Sequence, residues 1–240
     1  MLNAIVFGAS SGIGCSLTKL LIKDDYKVVL VARRRERLES ISSKYPENTI
    51  VKVLDVQNIS ETEKVFDEII NEIKEVHLII HTSGIGHINK ELDWNKEYET
   101  IKTNVLAATR IYDLAFNIFK KQRFGHLVSI SSFGALRGNK EAPAYSATKS
   151  YQANYLESLY FKAKEVEGKK VFITDVRPGF IDTNMAKGDG IFWMASVEKA
   201  SKQIYNAIKK KKRRVYVTKR WYLLSWVVKI VPSWLLKKLM

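Results

Sequence analysis

Apolar runs alternate with helical repeats along almost the whole chain. Residues 3–7 form a short apolar run, followed by GASSGIG at 8–14 and a helical pattern with Leu17, Leu20 and Leu21 on one face. Residues 27–32 (KVVLVA) are a second continuous run, stopped by Arg33, Arg34 and Arg35, and a helix is predicted over 35–44. Residues 50–54 predict a third strand ending at Asp55, 60–74 an amphipathic helix, and 77–81 (HLIIH) a fourth strand. Helical periodicity over 95–120 leads to a strand at 126–130. A helix over 145–166, a strand at 171–176, a helix over 197–210 and a strand at 214–218 complete the pattern.

Several of these strands are apolar on both faces, which is what a parallel sheet covered by helices on each side requires. The fold class is therefore α/β: a Rossmann-type, doubly wound, seven-stranded parallel sheet flanked by helices on both faces. Residues 1–220 read as one catalytic domain without linker, repeat or low-complexity stretch. Residues 221–240 form a hydrophobic, basic tail, either part of that domain or an interfacial anchor.

At 240 residues, with 46% hydrophobic and 27% charged positions, the chain is excluded from the disordered, collagenous and multi-span membrane classes. The single cysteine, Cys15, excludes an internal disulfide and a four-cysteine zinc site, and is read as a small buried residue. The four histidines (His77, His81, His87 and His126) show no ligand spacing, so no metal is expected. Residues 2–7 are too short an apolar run for a secretory signal, and the expectation is a cytoplasmic protein.

The net charge of +15 is unevenly spread: all 25 acidic residues lie within 1–198, whereas 199–240 hold 13 Lys/Arg and no acid. The same stretch carries Trp221, Trp226 and Trp234. Its segment 221–231 (WYLLSWVVKIV) is apolar nearly all round and is shorter than the roughly 20 residues of a membrane span. Three readings compete. Tryptophans and lysines beside an apolar segment suit a peripheral membrane contact, on the inner face of a membrane with anionic lipid. Alternatively the tail covers the substrate mouth or a subunit interface, or it captures an acidic carrier protein. No groove-reading motif is present, so nucleic acid is not an expected partner.

Candidate chemistry begins at the glycine-rich turn. Gly8, Gly12 and Gly14 sit between the first strand and the first helix, where glycines let the backbone approach a pyrophosphate at a helix N-terminus. The G-x-x-x-G-x-G spacing alone also suits a plain strand-to-helix turn. At the end of the second strand an acidic residue would select the ribose hydroxyls of NAD. Arg33 and Arg34 stand there instead and suit a 2′-phosphate, with Ser10 able to donate to it, so the expected cofactor is NADP(H). Farther along, Tyr145 and Lys149 lie one helical turn apart on one face. A phenol, with a pKa of about 10, becomes a usable acid–base catalyst when a nearby ammonium favours the phenolate. Ser132 precedes Tyr145 by thirteen residues.

Taken together, GASSGIG at 8–14, Asp55, HTSG at 81–84, Asn104, SISS at 129–132, YSATK at 145–149 and RPGFIDT at 177–183 resemble the classical short-chain dehydrogenase/reductase family in order and spacing over residues 3–218. The resemblance implies catalytic roles for Asn104, Ser132, Tyr145 and Lys149. Tyr145 would be the general acid/base, and Lys149 would lower its pKa and hold the nicotinamide ribose. Ser132, preferred to Ser131 by spacing, would polarise the substrate carbonyl. Asn104 would anchor a water linking Lys149 to solvent. Gly8, Ser10, Ser11, Gly12, Ile13 and Gly14 would wrap the phosphates, and Asp55 and Val56 would meet the adenine. Gly84 would pack beside the adenosine. Pro178, Gly179, Ile181 and Thr183 would hold the carboxamide. Phe192, Trp193 and Met194 would wall the substrate pocket.

The implied reaction is hydride transfer between NADP(H) and the carbonyl or secondary alcohol of a small hydrophobic, lipid-like substrate, in a homodimer or homotetramer. The alternatives are a beta-ketoacyl thioester reductase and a non-catalytic NADP sensor. Two departures from the family stand out: Phe7 replaces the usual Thr before the first glycine, and His81-Thr82-Ser83-Gly84 replaces Asn-Asn-Ala-Gly.

Overall fold

A computed structural model describes residues 1–183, 193–232 and 234. Seven parallel strands form one sheet in the order β3-β2-β1-β4-β5-β6-β7. They are β1 (Leu2–Phe7), β2 (Tyr26–Ala32), β3 (Thr49–Val53), β4 (Leu78–His81), β5 (Phe124–Ile130), β6 (Lys170–Pro178) and β7 (Arg214–Val217). Between them run α1 (Gly12–Lys23), α2 (Arg35–Ser42), α3 (Ile59–Ile73), α4 (Trp94–Ile101), α5 (Ala108–Gln122), α6 (Pro143–Glu165) and α7 (Val197–Lys209).

The apolar strands behave as their pattern demands. Ile5, Phe7, Val29, Val31, Ile79 and Leu127 point to one side, where they meet Phe66 of α3, Ile111 and Phe119 of α5, and Leu156 of α6. Ala4, Val6, Val28, Leu30, Ile80 and Val128 point to the other, against Leu17 and Leu21 of α1, Leu38 of α2 and Ile204 of α7. Two cores thus sandwich one sheet, and the strand period of two sorts each run between them. The strand order reverses between β1 and β4, which pair from Ala4↔Leu78 to Phe7↔His81. Ligands of open α/β sheets bind in the crevice at the strands' carboxyl ends beside such a switch point.

Two elements differ from the sequence expectation. The helix expected over 95–120 is interrupted by a π-helical stretch, Lys102–Ala107, joining α4 to α5. Its wider turn carries Thr103, Asn104 and Ala107 into the interior. Such stretches interrupt the backbone ladder and recur at functional sites. The apolar run at 221–231 forms α8 (Lys219–Ile230), so the expected boundary at 220/221 falls inside a helix. Only Trp221 and Ser225 of α8 are buried, while Leu223, Trp226, Val227 and Ile230 are exposed.

The inner face of α8 docks firmly on the body. The Trp221 ring packs at a tilt against Phe133, 4.6 Å between centroids, and meets Phe180 at 5.6 Å. It lies so close to Gly179 that a Cβ there would sit 1.9 Å from the ring. Arg137 donates to the carbonyl oxygens of Val228 (2.9 Å), Lys229 (3.1 Å) and Val231 (2.7 Å), the orphan acceptors at the end of α8. No helix among the described residues is long and apolar enough to cross a membrane.

Candidate active site

The glycine turn is shaped by contacts that exclude a side chain. Gly8 has φ +88°, and a Cβ on it would lie 2.4 Å from Thr82 Oγ1. A Cβ on Gly14 would lie 2.3 Å from the Gly8 carbonyl oxygen. The departures from the family pattern have a local logic here. Thr82 donates both its main-chain N–H (2.9 Å) and its hydroxyl (2.8 Å) to the Phe7 carbonyl, locking β4 to β1 at the turn. Phe7 is buried in the core. His81 is fully buried, with Nδ1 3.1 Å from the Ser129 hydroxyl, which lies 2.6 Å from that of Tyr112. Burial, and secondarily the Lys149 charge, push His81 down to about 3, so it is neutral.

Helix α1 begins at this turn without a side-chain cap at Ser11. Instead Arg34 reaches across from the end of β2. It donates to Ser10 Oγ (2.8 Å from Nη2, 3.3 Å from Nε) and to Ser11 Oγ (2.7 Å). Desolvation, then the like charges of Arg37 and Arg33, lower the Arg34 pKa, so an anion would relieve the crowding. Arg33 instead pairs with Asp55 at 3.5 Å. Val56 is buried beside Asp55. A Cβ on Gly12 would approach Thr183 Cγ2 at 3.5 Å, so the glycine turn and the loop after β6 face each other. Ile13 is half-buried at the start of α1, and Ile181 is buried, bridged to Ala195. Pro178 closes β6 opposite Val217. Cys15 is half-buried rather than fully buried, because it lies on the first turn of α1 at the rim of the core.

Across the switch point, Ser132 and Tyr145 converge. Ser131 is committed elsewhere, its hydroxyl donating to Asp175 Oδ1 and also lying 3.1 Å from the Val176 carbonyl. Ser132 accepts from the Gly134 N–H at 3.0 Å and hydrogen-bonds Tyr145. Tyr145 departs from the expectation of a lowered pKa. Burial raises it, and the Ser132 hydrogen bond only opposes that rise. The physical reason is the direction of Lys149, whose Nζ donates to the Ile130 carbonyl (3.0 Å) and to Gln152 Oε1 (2.9 Å), 5.8 Å from the Tyr145 ring centroid. Desolvation pushes the Lys149 ammonium down to about 8, against the favourable charge of Asp175.

Asn104 is fully buried. Its Oδ1 accepts from the Ile85 N–H (3.0 Å), and its Nδ2 donates to the Ile85 carbonyl (2.7 Å) and to Thr148 Oγ1 (3.1 Å). The side chain thus staples the loop after β4 to α6. A Cβ on Gly84 in that loop would lie 3.2 Å from Lys149 Nζ and 3.3 Å from Asn104 Oδ1. Gln152 joins Lys149 to the main chain of Asn104: its Oε1 accepts from Lys149 Nζ, and its Nε2 donates to the Asn104 carbonyl at 2.8 Å.

Sequence reasoning missed Gln152, although it lies three residues beyond Lys149 on the same helical face. It also missed Gly86, where a Cβ would sit 2.5 Å from the Tyr145 ring. Gly86→Ala is therefore expected to displace the phenol and lower turnover by about tenfold or more, since small misplacements of reacting groups are costly. Wild-type turnover in that variant would show that the ring is not held by this contact. Phe192 lies outside the described residues. Trp193 and Met194 are both partly exposed, and the Trp193 ring lies 6.0 Å from that of Trp221. Among the described residues no group of three or more His, Cys, Asp or Glu is placed to hold a metal.

A doubly wound parallel sheet with a glycine turn at its switch point and a Ser–Tyr–Lys cluster facing it defines a dehydrogenase of the short-chain type. The family model for short chain dehydrogenases matches residues 2–190, and the chain belongs to that family. It is 30% identical over 184 residues to a 3-oxoacyl-[acyl-carrier-protein] reductase of Bos taurus, covering 76% of each chain. Among solved structures it resembles a short chain dehydrogenase from Burkholderia cenocepacia in complex with NADP (TM-score 0.85, 18% identity, 100% of this chain and 97% of that one). It also resembles an alcohol dehydrogenase from the archaeon Thermococcus sibiricus complexed with 5-hydroxy-NADP (TM-score 0.77, 23% identity, 90% and 94%). At these identities the structural likenesses speak for the fold.

Proposed function

We propose that the chain is an NADPH-dependent reductase of a hydrophobic carbonyl compound. The observation that carries this reading is the meeting of half-buried Ser132 and Tyr145 with buried Lys149 opposite the glycine turn. The residues fit the cofactor: Gly8 and Gly14 leave bare backbone at the start of α1, and Arg34, held by Ser10 and Ser11, offers a guanidinium for the 2′-phosphate. Two of the resembling folds carry NADP or a derivative of it. When bound, the reduced nicotinamide supplies a hydride to the carbonyl carbon.

The chain's own groups handle the oxygen. Ser132 and Tyr145 donate hydrogen bonds to it, stabilising the charge that develops there. Tyr145 is kept protonated by its burial and so serves as the acid, delivering its proton to that oxygen. Lys149, one turn along α6, provides the positive charge that offsets the phenolate left behind. Phe133 and Phe180, which follow Ser132 and Gly179, gather with Trp193 around Trp221 and give the site an apolar wall.

A second reading, a beta-ketoacyl thioester reductase, is favoured by the resemblance to the bovine 3-oxoacyl-[acyl-carrier-protein] reductase. The test is NADPH consumption with apolar diketones and with acetoacetyl thioesters. Turnover of the diketones alone supports the first reading, and preference for the thioesters supports the second. Silence on both with NADPH bound would sink each and leave a cofactor-binding protein without catalysis.

We further propose that the outer face of α8 rests on an anionic lipid surface. Leu223, Trp226, Val227 and Ile230 are exposed along it, flanked by Lys219, Arg220 and Lys229, and no acid lies beyond Glu198. Truncation after Thr218 would also remove the buried Trp221, so Leu223→Ser/Trp226→Ser isolates the outer face. Wild type is expected to co-sediment with phosphatidylserine-containing vesicles, and the double variant to bind about tenfold or more weakly, given roughly 1.5–3 kcal/mol per buried apolar side chain. Equal sedimentation of the two, or none, would overturn this contact.

A further inference from the structure

We propose that Gln152 is a positioning residue of the proton-handling site: its amide clamps the Lys149 ammonium to the Asn104 main chain. The inference rests on the reading of Ser132, Tyr145 and Lys149 as the reductase's acid–base cluster.

The geometry is specific at both ends of the amide. Gln152 Oε1 accepts from Lys149 Nζ at 2.9 Å, and Nε2 donates to the Asn104 carbonyl at 2.8 Å. Gln152 is fully buried, so neither bond competes with solvent. The Asn104 carbonyl lies within the π-helical stretch Lys102–Ala107, where the regular i→i−4 ladder is broken. The disrupted helix therefore presents a backbone acceptor sideways, and a side chain from α6 takes it up. These bonds also fix the amide's orientation, because a flipped amide would turn its NH₂ toward an ammonium and its oxygen toward a carbonyl.

The consequence lies in the charge state of Lys149. The ammonium is buried, and among the described residues the Ile130 carbonyl and Gln152 Oε1 accept from it. Hydrogen bonds to the charged form favour that form. The titratable groups around it are Tyr145 on its own helix, neutral His81 at the end of β4 and Asp175 on β6, with Tyr112 of α5 beyond His81. Of these, Asp175 favours the charge through space, and Gln152 does so by contact. A neutral amide holds an ammonium in place without handing its proton on. The Gln152 contact thus keeps Lys149 charged and fixed one turn from Tyr145.

The test is a titration that does not depend on turnover. Lysine labelled with ¹³C at Cε reports each ammonium by NMR, and the Lys149 signal is assigned by its loss in Lys149→Met. In the wild-type chain without cofactor, Lys149 is expected to titrate near pH 8. Gln152→Leu, which removes the acceptor, should lower that midpoint by about one unit, a tenfold change in proton affinity. Gln152→Glu keeps the shape, adds a negative charge and should raise the midpoint by at least as much. A midpoint unmoved in Gln152→Glu overturns the proposal even if Gln152→Leu fails to fold.

The second readout is the pH dependence of kcat with any carbonyl that the wild type reduces. The basic limb should move in the same two directions, with the NADPH Kd unchanged. A uniform loss of activity with the limb in place would show a merely structural residue and overturn the proposal. NMR shifts as expected with no carbonyl reduced by wild type would leave the clamp standing and remove the reductase reading instead.

Discussion

Tyr145→Phe is expected to lower turnover about a thousandfold or more while leaving the NADPH Kd within about twofold of wild type. The size follows from two losses at one atom. General acid catalysis typically contributes about 10²–10⁴-fold. A hydrogen-bond donor to a developing oxyanion is worth about 10²–10³-fold in kcat, and the two effects overlap because one hydroxyl supplies both. The phenyl ring keeps its seat against Gly86, so the substitution removes an oxygen and little packing. Ser132 loses a partner but retains the Gly134 N–H. Burial raises the Tyr145 pKa, so the group is the acid and not the base across neutral pH; turnover in the reducing direction should fall only as pH rises. Measured by NADPH absorbance and cofactor fluorescence side by side, near-wild-type turnover in Tyr145→Phe would sink the assignment. Loss of binding together with turnover would point to a collapsed site.

Most of the sheet was legible because its strands are buried on both faces, and such runs read as strands between helices. Valines at 28, 29 and 31 and isoleucines at 79 and 80 show this directly. What stayed hidden depends on long-range partners. The π-helical stretch at Lys102–Ala107 keeps a helical pattern, so nothing in its spacing announces that the Asn104 carbonyl turns aside to meet Gln152. Hydrophobicity misleads in α8: Ser225 faces the body and Leu223 faces out, because Trp221 and Arg137 decide how the helix docks. The proximity of Tyr145 and Lys149 was readable from spacing four along α6. The direction of the tyrosine's shift was not, since it depends on how deeply the phenol is buried and on where the Lys149 ammonium points.

Arg34→Ala is expected to weaken NADPH binding by about 100-fold and to leave NADH binding within about twofold. A hydrogen bond to a charged group is worth about 1.5–3 kcal/mol, and a guanidinium facing a phosphate makes such bonds in pairs. The alternative for Arg34 is structural, because it already donates to Ser10 and Ser11 and so could serve only to hold the turn. The two roles separate in a single comparison. A residue that merely held the turn would weaken both cofactors equally, since both present the same pyrophosphate to Gly8 and Gly14. A residue that reads the 2′-phosphate weakens NADPH alone, and less so at high salt, where the charge is screened. Arg33→Ala provides the control: that side chain is 62% exposed and already paired with Asp55 at 3.5 Å, so its loss should cost NADPH less than tenfold. Fluorescence titration of the three chains with both cofactors decides the matter, and equal losses for NADPH and NADH in Arg34→Ala would remove the physical basis for an NADP preference.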